Sequence, residues 1–273
     1  MVRSLWTAAT GMNAQQTNVD TIANNLANVN TVGYKAQVAE FKSLLYQTLQ
    51  TATTTANGDP KPTSSQVGLG VRTSSINSIV TQGPLLASNS DTSFAIEGDG
   101  YFAIQGADGN TYYTRNGDFT WATNGSGNGM ILTNQDGLPV LSSTGNTITL
   151  NSTYVTNKVT VTADGTVCYP DANNVPQSLG MTIGMYQFNN RGGLVRKGDT
   201  LWAASAASGD ALNEATNRNL VPSKIVQGYL EGANVQVADE MVNLIVAQRA
   251  YEMNSKAITT TDEMMQTANN LKR

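Results

Sequence analysis

The residue types that most often carry chemistry are scarce in this chain. Its 273 residues include no histidine and a single cysteine, Cys168. Without histidine, Ser-His-Asp and Cys-His nucleophilic catalysis, the HExxH zinc motif and most transition-metal sites fall away. One cysteine allows no intrachain disulfide. Between Val167 and Tyr169, Cys168 reads as a small apolar strand residue. The close carboxylate pairs are Glu97 with Asp99, Asp239 with Glu240, and Asp262 with Glu263. A glycosidase needs two carboxylates facing each other across a cleft, and sequence neighbours on a helix do not face each other. Asp239 and Glu240 fit the first turn of a helix, where the dipole favours acid, with Asn234 as its expected N-cap.

Gly98-x-Gly100 and Gly68-x-Gly70 do not continue as GxGxxG into a helix, so they read as turns rather than a dinucleotide fingerprint. Asp99-Gly100 and Asp108-Gly109 lack the spaced oxygen ligands of a calcium loop. No catalytic, metal or cofactor site is therefore expected. Charged residues make up only 13% of the chain and the net charge is −4. No basic stripe of the kind that binds nucleic acid is present. No run approaches the roughly 18 apolar residues of a membrane span, and the opening lacks the apolar core of a cleaved signal.

The elements that must position these residues differ between the ends and the middle. From Leu5 to Val29 the apolar positions Leu5, Met12, Val19 and Leu26 fall seven apart. That is a heptad-like helix of roughly 25 residues, about 37 Å long. From Val235 to Leu271 the row Val237, Leu244, Tyr251, Ile258 and Met265 repeats the pattern, and that helix reaches about 55 Å. Its second row is read as Gln248, Ser255 and Asp262, which is polar. A narrow stripe with many weak helix formers implies that packing, with more than one partner, supplies the stability. The two rows are thus candidate inter-subunit packing positions. Arg249 and Lys256, seven apart, read as a solvated face or as inter-chain partners of Glu240, Glu252 or Asp262.

Between the helices the period becomes two. Short strands alternate with Gly- and Asn-rich turns from about residue 88 to 205, the signature of an all-β domain. Asn116-Gly117, between Thr111–Arg115 and Phe119–Trp121, predicts a hairpin. The Thr-, Ser- and Gly-rich stretch from Thr51 to Leu69 reads as a long extended arm, or as a disordered linker. The expected fold is α+β: terminal helices forming a coiled-coil-like unit (1–35 and 234–273), a connecting segment with the arm (36–87, arm about 48–71), an inserted all-β domain (88–205) and a return connection (206–233).

The ends also resemble known segments. Ala23-Asn24-Asn25-Leu26-Ala27-Asn28-Val29-Asn30-Thr31-Val32-Gly33-Tyr34-Lys35 resembles the N-terminal signature of the flagellar rod and hook family of axial proteins. The stretch from Glu240 to Ile258, with Gln248, Arg249, Tyr251, Asn254, Ser255 and Lys256, resembles its C-terminal signature. Ile96-Glu97-Gly98-Asp99-Gly100-Tyr101-Phe102 and Tyr113-Thr114-Arg115-Asn116-Gly117-Asp118-Phe119 are similar to its β-domain motifs, with Tyr34 and Tyr101 where Phe is common. The opening twelve residues, and Leu44-Leu45-Tyr46-Gln47-Thr48 with the arm, look like the distal-rod branch of that family.

The resemblance implies a structural subunit that assembles helically with copies of itself into a rigid hollow shaft carrying torque from motor to hook. It implies neighbours among proximal rod proteins, the hook protein and basal-body ring proteins, and export through the flagellar type III apparatus without signal cleavage. It implies a place in the basal body across the periplasm, and no cofactor. A proximal rod or hook protein is the alternative within the family; a secreted enzyme or an adhesin is the alternative outside it.

Overall fold

The computed structural model describes residues 2–50, 65–124, 129–171, 173, 175–198, 200–217 and 219–271. Most of the Thr51–Leu69 stretch, residues 51–64, lies outside them. The fold is α+β, with a helix near each end and many strands between. It divides into a helical unit (Met1–Ala27, Gln37–Ser78 and Gln236–Arg273) and a strand unit (Asn28–Ala36 and Ile79–Val235).

The helical unit holds α1 (Val2–Ala27), α2 (Val237–Asn270) and the strands β1 (Gln37–Ser43), β2 (Tyr46–Gln50), β3 (Ser65–Gly68) and β4 (Val71–Ser78). Both helices follow the heptad rows. Their threonines are tolerated because the hydroxyls bond back to the preceding turn: Thr21 Oγ1 donates to Thr17 O at 2.7 Å and Thr261 Oγ1 to Ala257 O at 2.7 Å. Such bonding satisfies the hydroxyl without breaking the helix ladder. β1 pairs antiparallel with β4, and α1 packs on both of them and on α2. β2 pairs with β3 as a separate antiparallel ribbon, so the described part of the arm is a hairpin. Gly70, at φ +110°, lets β4 start against α1: a Cβ there would fall 2.1 Å from Thr10 Oγ1, the atom that accepts from Val71 N at 3.3 Å.

Asp239 and Glu240 do occupy the first turn of α2. Asn234 does not cap it. The N-cap is Gln236, with no side-chain capping bond. Asn234 belongs to the strand unit, where its Oδ1 accepts from Ala36 N at 2.7 Å and its Nδ2 donates to Ile79 O at 2.8 Å. Its Nδ2 also reaches Thr81 O at 3.2 Å, so three backbone groups hold that amide in place of one orphan N–H of the helix.

The strand unit runs β5 (Leu85–Ala87), β6 (Phe94–Glu97), β7 (Tyr101–Gln105), β8 (Thr111–Thr114), β9 (Thr120–Thr123), β10 (Met130–Thr133) and β11 (Thr149–Leu150). It continues with β12 (Thr160–Val161), β13 (Thr166–Pro170), β14 (Pro176–Thr182), β15 (Met185–Gln187) and β16 (Val195–Gly198). It ends with β17 (Leu201–Ala203), β18 (Leu212–Asn213), β19 (Lys224–Gln227) and β20 (Tyr229–Glu231). All pairings are antiparallel, centred on a six-stranded sheet of order β16-β17-β8-β7-β15-β18. Tyr101 to Ile104 are all buried because both faces of β7 are covered: Phe102 and Ile104 join one core with Phe94 and Phe119, Tyr101 and Ala103 another with Tyr113 and Trp202. Cys168 lies buried on β13, as its apolar neighbours suggest.

Asn116-Gly117 makes no hairpin. β8 pairs with β7 and β17, and β9 pairs with β10. The two-residue hairpin turn needs positive φ, and Gly117 is not among the positive-φ glycines. Its carbonyl instead accepts from Phe94 N at 2.9 Å, and a Cβ on Gly117 would fall 1.7 Å from Phe94 O. Contact with a neighbouring strand, rather than chain reversal, requires glycine there.

Candidate functional site

In the helical unit, α1 and α2 run antiparallel. Asn25 meets Glu240 near one end, with Nδ2 to Oε1 at 3.2 Å. Gly11 meets Asn254 further along, where a Cβ would stand 2.9 Å from Asn254 Nδ2. Glycine inside a helix costs roughly 1 kcal/mol against alanine; here it permits a close crossing of two helices. Val19 and Gln16 share a cleft with Gln248 and Tyr251 between these points. The rows found in sequence therefore lie along the line where the helices meet. Leu5, Met12, Val19, Leu26, Leu244, Ile258 and Met265 are half-buried, while Val237 and Tyr251 remain exposed.

The second row of α2 is not Gln248, Ser255 and Asp262. Gln248 and Asp262 are exposed; Ala247 and Thr261 are buried, with Asn254 half-buried between them. The inward rows are thus offset by three residues, Leu244 to Ala247 and Ile258 to Thr261, the other spacing a heptad permits. Asn25, 1% exposed, holds the strand pair onto this unit: its Nδ2 donates to Gln37 O and its Oδ1 accepts from Gln37 N, both at 2.8 Å. Asn24 adds a bond to Gln37 Oε1 at 3.3 Å. Burial beside these groups pushes the Glu240 carboxyl above the usual carboxylate range. Arg249 pairs with Glu252 of its own helix at 3.0 Å, both exposed, so the pair adds little. Lys256 is exposed and Ser255 half-buried.

In the strand unit, three charges meet in the interior; the sequence reading quoted Lys35 and Arg115 only within family-like motifs, did not mark Glu231, and gave none of the three a role. Glu231 Oε1 receives Lys35 Nζ at 2.5 Å, and its Oε2 receives Arg115 Nη1 at 3.1 Å. All three side chains are at most 1% exposed. Further bonds surround the cluster: Lys35 Nζ reaches Thr81 O at 2.7 Å, Arg115 Nη2 reaches Gly98 O at 2.6 Å, and Gly83 N donates to Glu231 Oε1 at 2.9 Å, while Arg115 Nε is buried without a partner among the described residues. Gly33, at φ +70°, brings its N–H to Glu231 O at 2.7 Å; a Cβ there would fall 2.6 Å from Asn116 N. Asn28 accepts from Thr31 and closes the turn ahead of Gly33. Burial pulls the Lys35 ammonium below the usual lysine range, against the pull of Glu231.

Tyr101 stacks under this cluster, with Arg115 Cζ 5.1 Å from its ring centroid. Its hydroxyl is buried and has no partner among the described residues. Burial raises its pKa from 10.0 to about 12, and that of Tyr113 likewise to about 12. Both protons are held more tightly in the fold, so their stability is fully present below pH 10 and is lost as pH rises through 12. Tyr101→Phe should reduce that alkaline loss by about 2–3 kcal/mol, and should cost little at pH 7, where an unpartnered hydroxyl is itself a burden. Urea unfolding of both proteins across pH 8 to 12 checks this; parallel pH profiles would contradict it.

Comparison with known proteins bears on all of these segments. Residues 5–35 match the family described as Flagella basal body rod protein, residues 95–169 the Flagellar hook protein FlgE/F/G D1 domain, and residues 226–271 the Flagellar basal body rod FlgEFG protein C-terminal. The Flagellar basal-body rod protein FlgG of Borreliella burgdorferi is 44% identical over the whole of both chains. The chain belongs to the flagellar basal-body rod protein family. Within Bacillus subtilis, the basal-body rod protein FlgG is 37% identical and the hook-basal body complex protein FlhP 31%, each over the whole of both chains. This rod family is a structural one. Lys35, Arg115 and Glu231 come one from each matched segment, so the buried cluster ties together the three stretches by which the rod family is recognised.

Proposed function

We propose that the chain is a subunit of the distal part of the basal-body rod, assembling helically with copies of itself into a rigid hollow shaft that carries torque from motor to hook. The observation that carries this reading is the full-length likeness to basal-body rod proteins. In that assembly the terminal segments (1–35 and 234–273) pair as a coiled-coil-like unit and build the inner tube. The inserted all-β region (88–205) forms the outer layer, and 36–87 and 206–233 connect the two. The rows Leu5, Met12, Val19, Leu26, Val237, Leu244, Tyr251, Ile258 and Met265 retain exposed area in the single chain, which neighbouring subunits would cover. Proximal rod proteins, the hook protein and basal-body ring proteins are its neighbours, reached by type III export across the periplasm. No cofactor is needed. Electron microscopy of the concentrated protein should show straight filaments; their absence under every assembly condition would remove the proposal.

The arm gives the test of subtype. An isolated two-stranded ribbon is marginal in water, yet the β2–β3 ribbon exposes Tyr46 and Leu49, with Leu45 exposed just ahead of it. That favours an arm lying along neighbouring subunits and holding them against sliding. Deleting Thr51 to Ser65 should leave assembly intact but give curved or bendable tubes. In the intact chain the arm should be cut readily by protease in the monomer and protected in the polymer. Equal cleavage in both states would make it a linker only.

A further inference from the structure

The strand unit holds a cleft of about 190 Å³ that the assembly reading does not use. Asn116, Gln135, Asp136 and Thr200 line it, together with the apolar Ile104 and Leu201. Asn116 belongs to the Asn-Gly pair that makes no hairpin, and its side chain is held in one orientation. Its backbone N–H donates to Thr114 Oγ1 at 3.0 Å, and its Oδ1 accepts from Asp118 N at 3.0 Å. With Oδ1 taken, Nδ2 is the donor left over, and it has no partner among the described residues. Gln135 donates from Nε2 to Asp118 and so keeps Oε1 as an acceptor. Asp136 receives Asn134 Nδ2 on Oδ2 at 3.0 Å and keeps Oδ1. A preset donor therefore shares the cleft with two acceptors.

Thr200 is held at φ +61°, where a β-branched residue is a genuine outlier. Its carbonyl accepts from Thr114 Oγ1 at 3.1 Å, the same buried hydroxyl that accepts from Asn116 N. One hydroxyl thus fixes two parts of the lining. Backbone strain of this kind persists where the surroundings over-determine it, and it gathers at ligand clamps.

We infer that the cleft is a binding site for a neutral, polyhydroxylated ligand: a single sugar ring. A sugar hydroxyl donates and accepts at once, which calls for the donor and acceptors that Asn116, Gln135 and Asp136 supply. The C–H face of the ring calls for the apolar contact of Ile104 and Leu201. The cleft has the share of roughly six waters at about 30 Å³ each, which one pyranose ring would displace. Among the described residues no Lys or Arg lines it to hold a phosphate or carboxylate. Asp136 is the single carboxylate in the lining, too little charge for the oxygen shell of a calcium ion. An extended peptide would pair through its backbone with an open strand edge, whereas the groups on offer here are side chains. The cleft is complete in one chain, so the inference does not rest on the assembly reading.

The test titrates glucose, galactose and mannose into the full chain, followed by amide NMR, with an uncharged Ser-Gly peptide in parallel. At least one sugar should shift the Asn116 side-chain amide and the Thr200 and Asp136 backbone amides saturably, with a dissociation constant of about 1 mM. Asn116→Asp keeps an oxygen for Asp118 N but exchanges the donor for an acceptor, and should weaken binding roughly tenfold. Asp136→Ala, at an exposed turn, should do likewise, and carries the test if the first variant melts early. Gln177→Ala, on the exposed start of β14, should bind as wild type does. Sugars that leave these amides unmoved, or cleft variants that bind as tightly as wild type, would overturn the proposal. So would a peptide that moves the same amides where the sugars do not.

Discussion

Replacing Glu231 by Gln is expected to cost the strand unit about 3–5 kcal/mol of stability. The loss follows from what remains rather than from what is removed. Lys35 and Arg115 would each keep a buried charge with no carboxylate opposite, at 0% and 1% side-chain exposure. The new amide would also turn one N–H₂ toward a cation while Gly83 N still seeks an acceptor. Replacing all three by apolar residues of similar size should cost far less, because a buried ion pair exchanged for packing is often nearly neutral. Urea unfolding of the single and triple variants, followed by near-UV circular dichroism, separates the two. A Glu231→Gln midpoint within error of wild type would mean that the cations find other acceptors, and the cluster would not hold the three segments together.

That cluster was invisible in sequence because nothing local encodes it. Lys35, Arg115 and Glu231 are separated by 80 and 116 residues, and their meeting depends on a turn at Gly33 and on the Tyr229–Glu231 strand. The helices, by contrast, were legible, since a seven-residue row needs only the residues of one element to be read. Even there the phase of the second row was hidden. Ala247, Asn254 and Thr261 contain one small apolar residue and two polar ones, so they form no conspicuous hydrophobic row, and they keep the same seven-residue spacing as Gln248, Ser255 and Asp262. What distinguishes them is size and self-satisfaction: Ala247 lets α1 approach, and Thr261 spends its hydroxyl on Ala257 O. The hairpin expected at Asn116-Gly117 failed for a related reason. A turn signal reports that the chain can reverse, whereas the close approach of Phe94 decides what the glycine is used for.

Ala247→Asp should unseat α1 from α2 and, with them, the capacity to assemble. Ala247 is 1% exposed and faces α1, so aspartate brings both excess volume and a charge with no partner into a closed contact. The expected cost is about 3–5 kcal/mol, more than a pair of helices without a larger core can absorb. Far-UV circular dichroism should lose part of its helix signal, while the aromatic near-UV signal of the strand unit, from Tyr101, Tyr113, Phe188 and Trp202, persists. A comparison with the exposed Met253 on the same helix is what gives the result meaning. Ala247→Asp and Met253→Asp place the same charge six residues apart on one helix, the first in a closed contact and the second at a position that is 67% exposed in the single chain. Only the first should change the isolated monomer. If Met253→Asp also unfolded the helical unit, the two faces would not be separable, and α2 would owe its order to a single continuous apolar surface. If Ala247→Asp left the helices and the filaments unchanged, the α1–α2 contact could not be what supports the inner tube.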